Sequence, residues 1–218
     1  MSARTVKSQT LPRGVVVALL LLTVAVLGLG GAVIAVRLRP EPLPTNSVDR
    51  AIARWEQTVE ENPESTEAKT GLGMALLSAG RPAAAATAFE EAIDLDAKNW
   101  VALLQLGLLV KEEDPARAEE LLARSVKSAP ETERAAPAVA WGDLLMERDD
   151  PNRAKTAYRV AIIDAPYVIE GHVGMARVFE VLGDQEAALA EYRYAAQFAP
   201  DDPDIAEAIE RLAASNEG

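Results

Sequence analysis

At 218 residues, with 49% hydrophobic and 26% charged side chains, the chain is long enough for one folded domain and an appendage. It contains no cysteine, which excludes disulfides, thiolate metal sites and cysteine nucleophiles, and its single histidine, His172, leaves little for imidazole chemistry. The formal net charge of −12 divides into +4 over residues 1–44, where five basic side chains face Glu41, and −16 over the rest; so acidic a body repels phosphate backbones and argues against nucleic acid as a partner.

Residues 1–14 form a basic tail carrying Arg4, Lys7 and Arg13. Residues 15–36 follow without a charge, and Thr23 is their one polar side chain. At about 1.5 Å per residue they make a helix of roughly 33 Å, enough to cross a hydrocarbon core of about 30 Å. The expectation is one transmembrane helix in a cell (inner) membrane, in contact with lipid over residues 15–36. Arg4, Lys7 and Arg13 favour a cytoplasmic N-terminus, whereas Arg37 and Arg39 oppose it. An uncleaved signal anchor with the following domain extracytoplasmic is expected, and a cytoplasmic domain is the alternative. A cleaved signal peptide gives the same export direction, although the run exceeds the usual apolar core of about 7–15 residues. Gly28 and Ala32, four apart, put small residues on one helical face and suggest self-association there. Residues 37–46 hold Pro40, Pro42 and Pro44, alternation that favours an extended spacer.

Residues 47–65 read as one helix, with Ala51, Trp55 and Thr58 in phase before Pro63. From there a period of about thirty-four residues takes over. A small residue in one helix is followed twelve positions later by an alanine in the next: Gly73 with Ala85, Gly142 with Ala154, Ala176 with Ala188. Gly107 with Ala118 is one residue shorter. The units are 66–99, 100–132, 135–168 and 169–202. Each reads as two amphipathic helices with apolar residues at three- and four-residue spacing. Small residues at the paired positions let the helices approach closely, and Phe89, Leu122, Tyr158 and Tyr192 fill the space beside them. Residues 203–218 read as a cap helix with Ile205, Ile209 and Leu212 on its buried stripe, because a stack of repeats otherwise exposes an apolar end.

This constellation resembles the tetratricopeptide repeat family over residues 66–202 and extends to both flanks. Departures are Ala97 where the family places proline, the shortened turn near Pro115, and the inserted Glu133-Arg134. The resemblance implies an all-α fold, a right-handed superhelix of stacked helical hairpins whose first helices line a concave groove. Carried over position by position, the partner-groove residues are Thr70, Met74 and Leu77 in the first unit, and Leu104, Leu108 and Lys111 in the second. Val139, Asp143 and Met146 follow in the third, and Val173, Arg177 and Glu180 in the fourth. Family members that clamp a carboxylate terminus place lysine and asparagine where this chain has Thr70, Met74, Leu104 and Leu108, which argues against that ligand class.

Nothing else in the chain points to chemistry. His172 occupies a packing position of its repeat. Asp149-Asp150-Pro151-Asn152 and Asp201-Asp202-Pro203-Asp204 lack the ligand spacing of a calcium loop and suit turns and helix N-caps. Glu112-Glu113 and Glu119-Glu120 read as solvated helix faces. No catalytic residue, metal site or cofactor is expected. The functional expectation is a membrane-tethered scaffold or assembly factor that binds a partner helix or peptide of a membrane or exported protein in its groove. The rival is a structural accessory subunit held by its span and convex surface, as in cytochrome c maturation or the secretory translocon.

Overall fold

The computed structural model describes residues 46–215. Among these the chain forms ten α-helices, one 3-10 turn and no strand. In order they are α1 (Ser47–Glu61), α2 (Thr66–Ser78), α3 (Pro82–Leu95), α4 (Trp100–Val110), α5 (Pro115–Ser128), α6 (Ala135–Glu147), α7 (Pro151–Asp164), α8 (Ile169–Val181), α9 (Gln185–Ala195) and α10 (Pro203–Ser215). The 3-10 turn, Glu131–Glu133, falls on the inserted stretch before α6.

Helix starts are set by short polar side chains and proline. Asn46, Ser65, Asn99, Asp114, Asp150 and Asp184 each accept a hydrogen bond from the backbone N–H three residues on. They satisfy donors that the first helical turn leaves free. Pro82, Pro115 and Pro151 sit in the first turns of α3, α5 and α7, where a missing N–H costs nothing. The turns α2–α3 and α8–α9 reverse through Gly80 (φ 68°) and Gly183 (φ 80°). Asp149 adopts the same left-handed conformation at φ 56° between α6 and α7.

The hairpins close where side chains vanish. A Cβ on Gly73 would stand 2.5 Å from the Phe89 ring, and one on Gly107 2.9 Å from Leu122 Cγ. Gly142 and Gly174, from α6 and α8, face the same ring: their Cβ atoms would lie 2.6 Å and 2.3 Å from Tyr158 Cε1. Tyr158 therefore joins two successive hairpins. The apolar interior is a chain of small cores strung between neighbouring pairs, from Ile52, Leu76 and Phe89 at one end to Tyr192, Ile205 and Leu212 at the other. Trp141 packs against three of them. Each helix packs chiefly on its sequence neighbours, and α2 also meets α4, α4 meets α6, and α6 meets α8. Those extra pairings place the first helices of the hairpins side by side on one face. α10 covers α9 with Ile205, Ala208 and Leu212, so the last pair does not end on bare apolar surface.

Polar links hold the two helices of a hairpin together and join one hairpin to the next. Ser125 Oγ donates to Trp100 O at 2.7 Å, and Arg134 pairs with Asp164 at 3.2 Å. Glu119 is not the freely solvated residue expected: α7's Arg153 and the following-turn partner of α6, Arg148, both pair with it.

The cell-membrane location expected from residues 15–36 is corrected. Among the described residues, no helix is long and apolar enough to cross a membrane. The physical reason is length: none exceeds the 15 residues of α1, whereas a span needs about 20. Residues 15–36, the proposed self-association face at Gly28 and Ala32, and the proline spacer up to Thr45 lie outside the described residues.

Candidate partner-binding groove

The face shared by α4, α6 and α8 is hollowed into a groove of about 730 Å³. Its floor is apolar. Leu108 stands 41% exposed, Val139 and Met146 are half-buried, and Ala136 and Ala140 line the groove with them. Ala136 and Ala140 keep side chains short along α6, and that shortness leaves the depth. Six of the twelve carried-over positions line this groove: Leu108, Lys111, Val139, Asp143, Met146 and Arg177.

The other six stand elsewhere. Thr70 is engaged in structure, its Oγ1 donating to Thr66 O and accepting from Asn99 Nδ2, each at 2.7 Å. Met74 is exposed on α2, while Leu77 is half-buried against the first core. Leu104 is only 7% exposed, packed with Ala118, Leu122 and Leu144. Val173 is half-buried against the last core, and Glu180 pairs with Arg211 of α10 at 2.6 Å.

Charge is distributed unevenly along the groove. At the end formed by the closing turns of α4 and α6, Lys111 Nζ lies 2.9 Å from Glu147 Oε1 and 3.7 Å from Glu112. The hydrogen bond from Lys111 to Glu147 raises the ammonium pKa, with burial acting against it. Midway, the Tyr158 hydroxyl donates to Asp143 Oδ1 at 2.6 Å. Burial pushes the Tyr158 phenol well above its ordinary value, and the bond to Asp143 adds to that. Arg177, exposed on α8, acts in the opposite sense on Tyr158. At the end formed by the starts of α6 and α8 stand Glu133, Tyr167 and Glu170. All three are exposed, Tyr167 to 68%.

Sequence reasoning placed Tyr158 among the packing residues and did not see its hydroxyl reach the groove. The signal available was its residue type, since a buried tyrosine brings a polar tip that needs a partner. Glu147, Glu133, Tyr167 and Glu170 carried no signal, because only the stacking of hairpins sets them beside Leu108 and Val139.

No catalytic arrangement involves His172. It is 6% exposed, with Nδ1 at 2.7 Å from Glu191 Oε2 and Nε2 at 3.0 Å from Pro166 O, and its ring lies 4.2 Å from that of Tyr194. These contacts fasten α8 to α9 and to the turn before it. The acidic turns act as caps: Asp150 accepts from Arg153 N and Asp202 from Ile205 N. Among the described residues, no group of three or more potential metal ligands comes together.

Helical hairpins in series, each closed by a small residue against an aromatic or leucine side chain, with first helices lining a groove, define the family. Tetratricopeptide repeat family models match residues 45–99 and 139–203, and a second such model matches 76–142. The chain belongs to the tetratricopeptide repeat family. No curated protein matches the sequence. Among solved structures, this tetratricopeptide repeat chain is similar to Pseudomonas aeruginosa pilF, with a TM-score of 0.70 and 19% identity over 78% of this chain and 77% of that one. It is also similar to YrrB, described as a TPR protein with an unusual peptide-binding site (TM-score 0.66, 17% identity, 77% and 86% covered). A third is MamA (TM-score 0.61, 17% identity, 72% and 97% covered). At these identities the likeness concerns the fold. Proteins built from such repeats are generally scaffolds for protein–protein interaction rather than enzymes.

Proposed function

We propose that this tetratricopeptide repeat protein is an assembly scaffold whose concave groove captures a helix or extended segment of a partner protein. The observation that carries this reading is the groove of about 730 Å³ between α4, α6 and α8, with its partly exposed apolar floor. A preformed hollow lined by Leu108, Val139 and Met146 gains free energy when an apolar side chain fills it, at about 25 cal/mol per Å² of apolar surface removed from water. Met146 adapts its shape to different occupants. The scaffold performs no bond chemistry; it holds a segment, and the rest of the superhelix is free to hold another part of the same complex.

The test is affinity purification of the full chain from its native cells, comparing Leu108→Asp/Met146→Asp with Ile163→Asp. Ile163 is 69% exposed and lies outside the groove. Partners are expected to vanish with the double variant and persist with the single one. Retention of every partner by the double variant, with its helical circular dichroism intact, rejects the groove as the binding surface.

A further inference from the structure

The two ends of the groove differ in charge, and that difference selects an occupant. At the closing end, Glu147 and Glu112 already neutralise Lys111. At the starting end, Glu133 and Glu170 have no ion pair among the described residues, and the exposed Tyr167 ring stands with them. Between the ends, Asp143 engages Oδ1 with the Tyr158 hydroxyl and forms no ion pair among the described residues. An electron-rich ring accompanied by uncompensated carboxylates attracts a cation, through the ring quadrupole and through Coulomb attraction together. The acidity of the body as a whole adds long-range attraction in the same sense.

We infer that the groove distinguishes its two ends by charge, taking a protein segment in which a lysine or arginine neighbours a large apolar side chain. The cation sits at the Glu133–Tyr167–Glu170 end, and the apolar side chain lies on Val139, Met146 and Leu108. This rests on the groove reading above and adds polarity and charge to it. An acidic segment meets like charge at the starting end and has only Arg177 to receive it midway. Such a segment is disfavoured even though the apolar floor is the same.

The experiment uses the full chain and three fluorescein-labelled peptides sharing a Leu-Phe-Leu centre, flanked by lysine, serine or glutamate, with binding read by anisotropy. The lysine peptide is expected to bind at least about tenfold more tightly than the serine peptide, with the advantage shrinking as salt is raised. Glu133→Lys with Glu170→Lys should remove that advantage. Glu186→Lys with Glu207→Lys, an equal charge change at exposed sites on α9 and α10 outside the groove, should keep it. Equal binding of lysine and serine peptides, lost in Leu108→Asp, overturns the cation seat while the groove reading survives. Lysine preference that falls equally in both charge-reversed proteins also overturns it, since attraction then belongs to the whole surface. Binding of all three peptides unaffected by Leu108→Asp rejects the groove reading itself. Self-association that the lysine peptide cannot displace marks a second copy as occupant and overturns the proposal.

Discussion

The Tyr158 hydroxyl donates to Asp143 Oδ1 across 2.6 Å, so a fully buried ring from the second helix of one hairpin ends in the groove lined by the first helices. Gly142 of α6 and Gly174 of α8 both approach the same edge of the ring. One side chain thus packs two hairpins together and orients a carboxylate where a partner would lie. Stability and the shape of the groove meet at this residue.

Replacing Tyr158 with phenylalanine keeps the ring and removes the bond. Hydrogen bonds to charged groups are worth about 1.5–3 kcal/mol, and the exposed Asp143 recovers part of this from water, so a loss of about 1–2 kcal/mol is expected. Equilibrium urea denaturation measures it. An unchanged midpoint means that the bond contributes nothing net.

Alkaline pH should weaken the fold. Burial first, then Asp143, hold the Tyr158 phenol above its ordinary value of 10.0, and burial followed by the charge of Glu180 raises Tyr192 as well. The unfolded chain releases these protons near that ordinary value, whereas the folded chain keeps them. Their stabilisation is therefore complete below it and declines as pH rises beyond it. The decline approaches about 1.4 kcal/mol per pH unit for each proton retained. Urea midpoints followed from about pH 8 to about pH 11 should show the decline, and Tyr158→Phe should make it shallower. Identical slopes in both proteins would refute the assignment.

Gly174→Ala should destabilise although alanine is the better helix former. The added Cβ stands 2.3 Å from Tyr158 Cε1, a ring edge that Gly142 also crowds, while Asp143 holds the hydroxyl, so the ring has little room to yield. Overpacking of this kind costs about 1–3 kcal/mol, more than the roughly 1 kcal/mol gained in helix propensity. In a Tyr158→Leu background the penalty should shrink, a coupling that a double-mutant cycle reads directly. Additive effects of the two changes would show that the ring is not the obstacle.

Asp149→Gly should stabilise. Asp149 holds φ 56° in the α6–α7 turn, where the α2–α3 and α8–α9 turns use Gly80 and Gly183. Glycine removes the Cβ strain of the left-handed region but gains freedom in the unfolded chain, leaving a net of about 0.5–1 kcal/mol. A higher melting temperature in calorimetry is the expected result; a lower one would mean that the aspartate side chain compensates for its own strain.

The repeat period was legible from Gly73, Gly107, Gly142 and Ala176 because close helix packing admits few residue types at such positions. The cap residues were legible for a similar reason: Asn46, Ser65 and Asp150 act on groups only three residues away. The groove was legible in part. Leu104 and Leu108 stand one helical turn apart on α4 and looked equivalent, yet one is packed against Leu144 of the next hairpin and the other opens to the groove.

By itself, then, the sequence determined the helices, their pairing and the family, since these depend on spacing within some thirty-five residues. Only the tertiary structure decided which side chains share the groove. The packing of each hairpin on the next buries Leu104, commits Thr70 to Asn99 and brings Glu133, Tyr167 and Glu170 to the groove. No repeat carries that arrangement in its own residues, because it arises from packing between hairpins, here across Tyr158 and its two glycines.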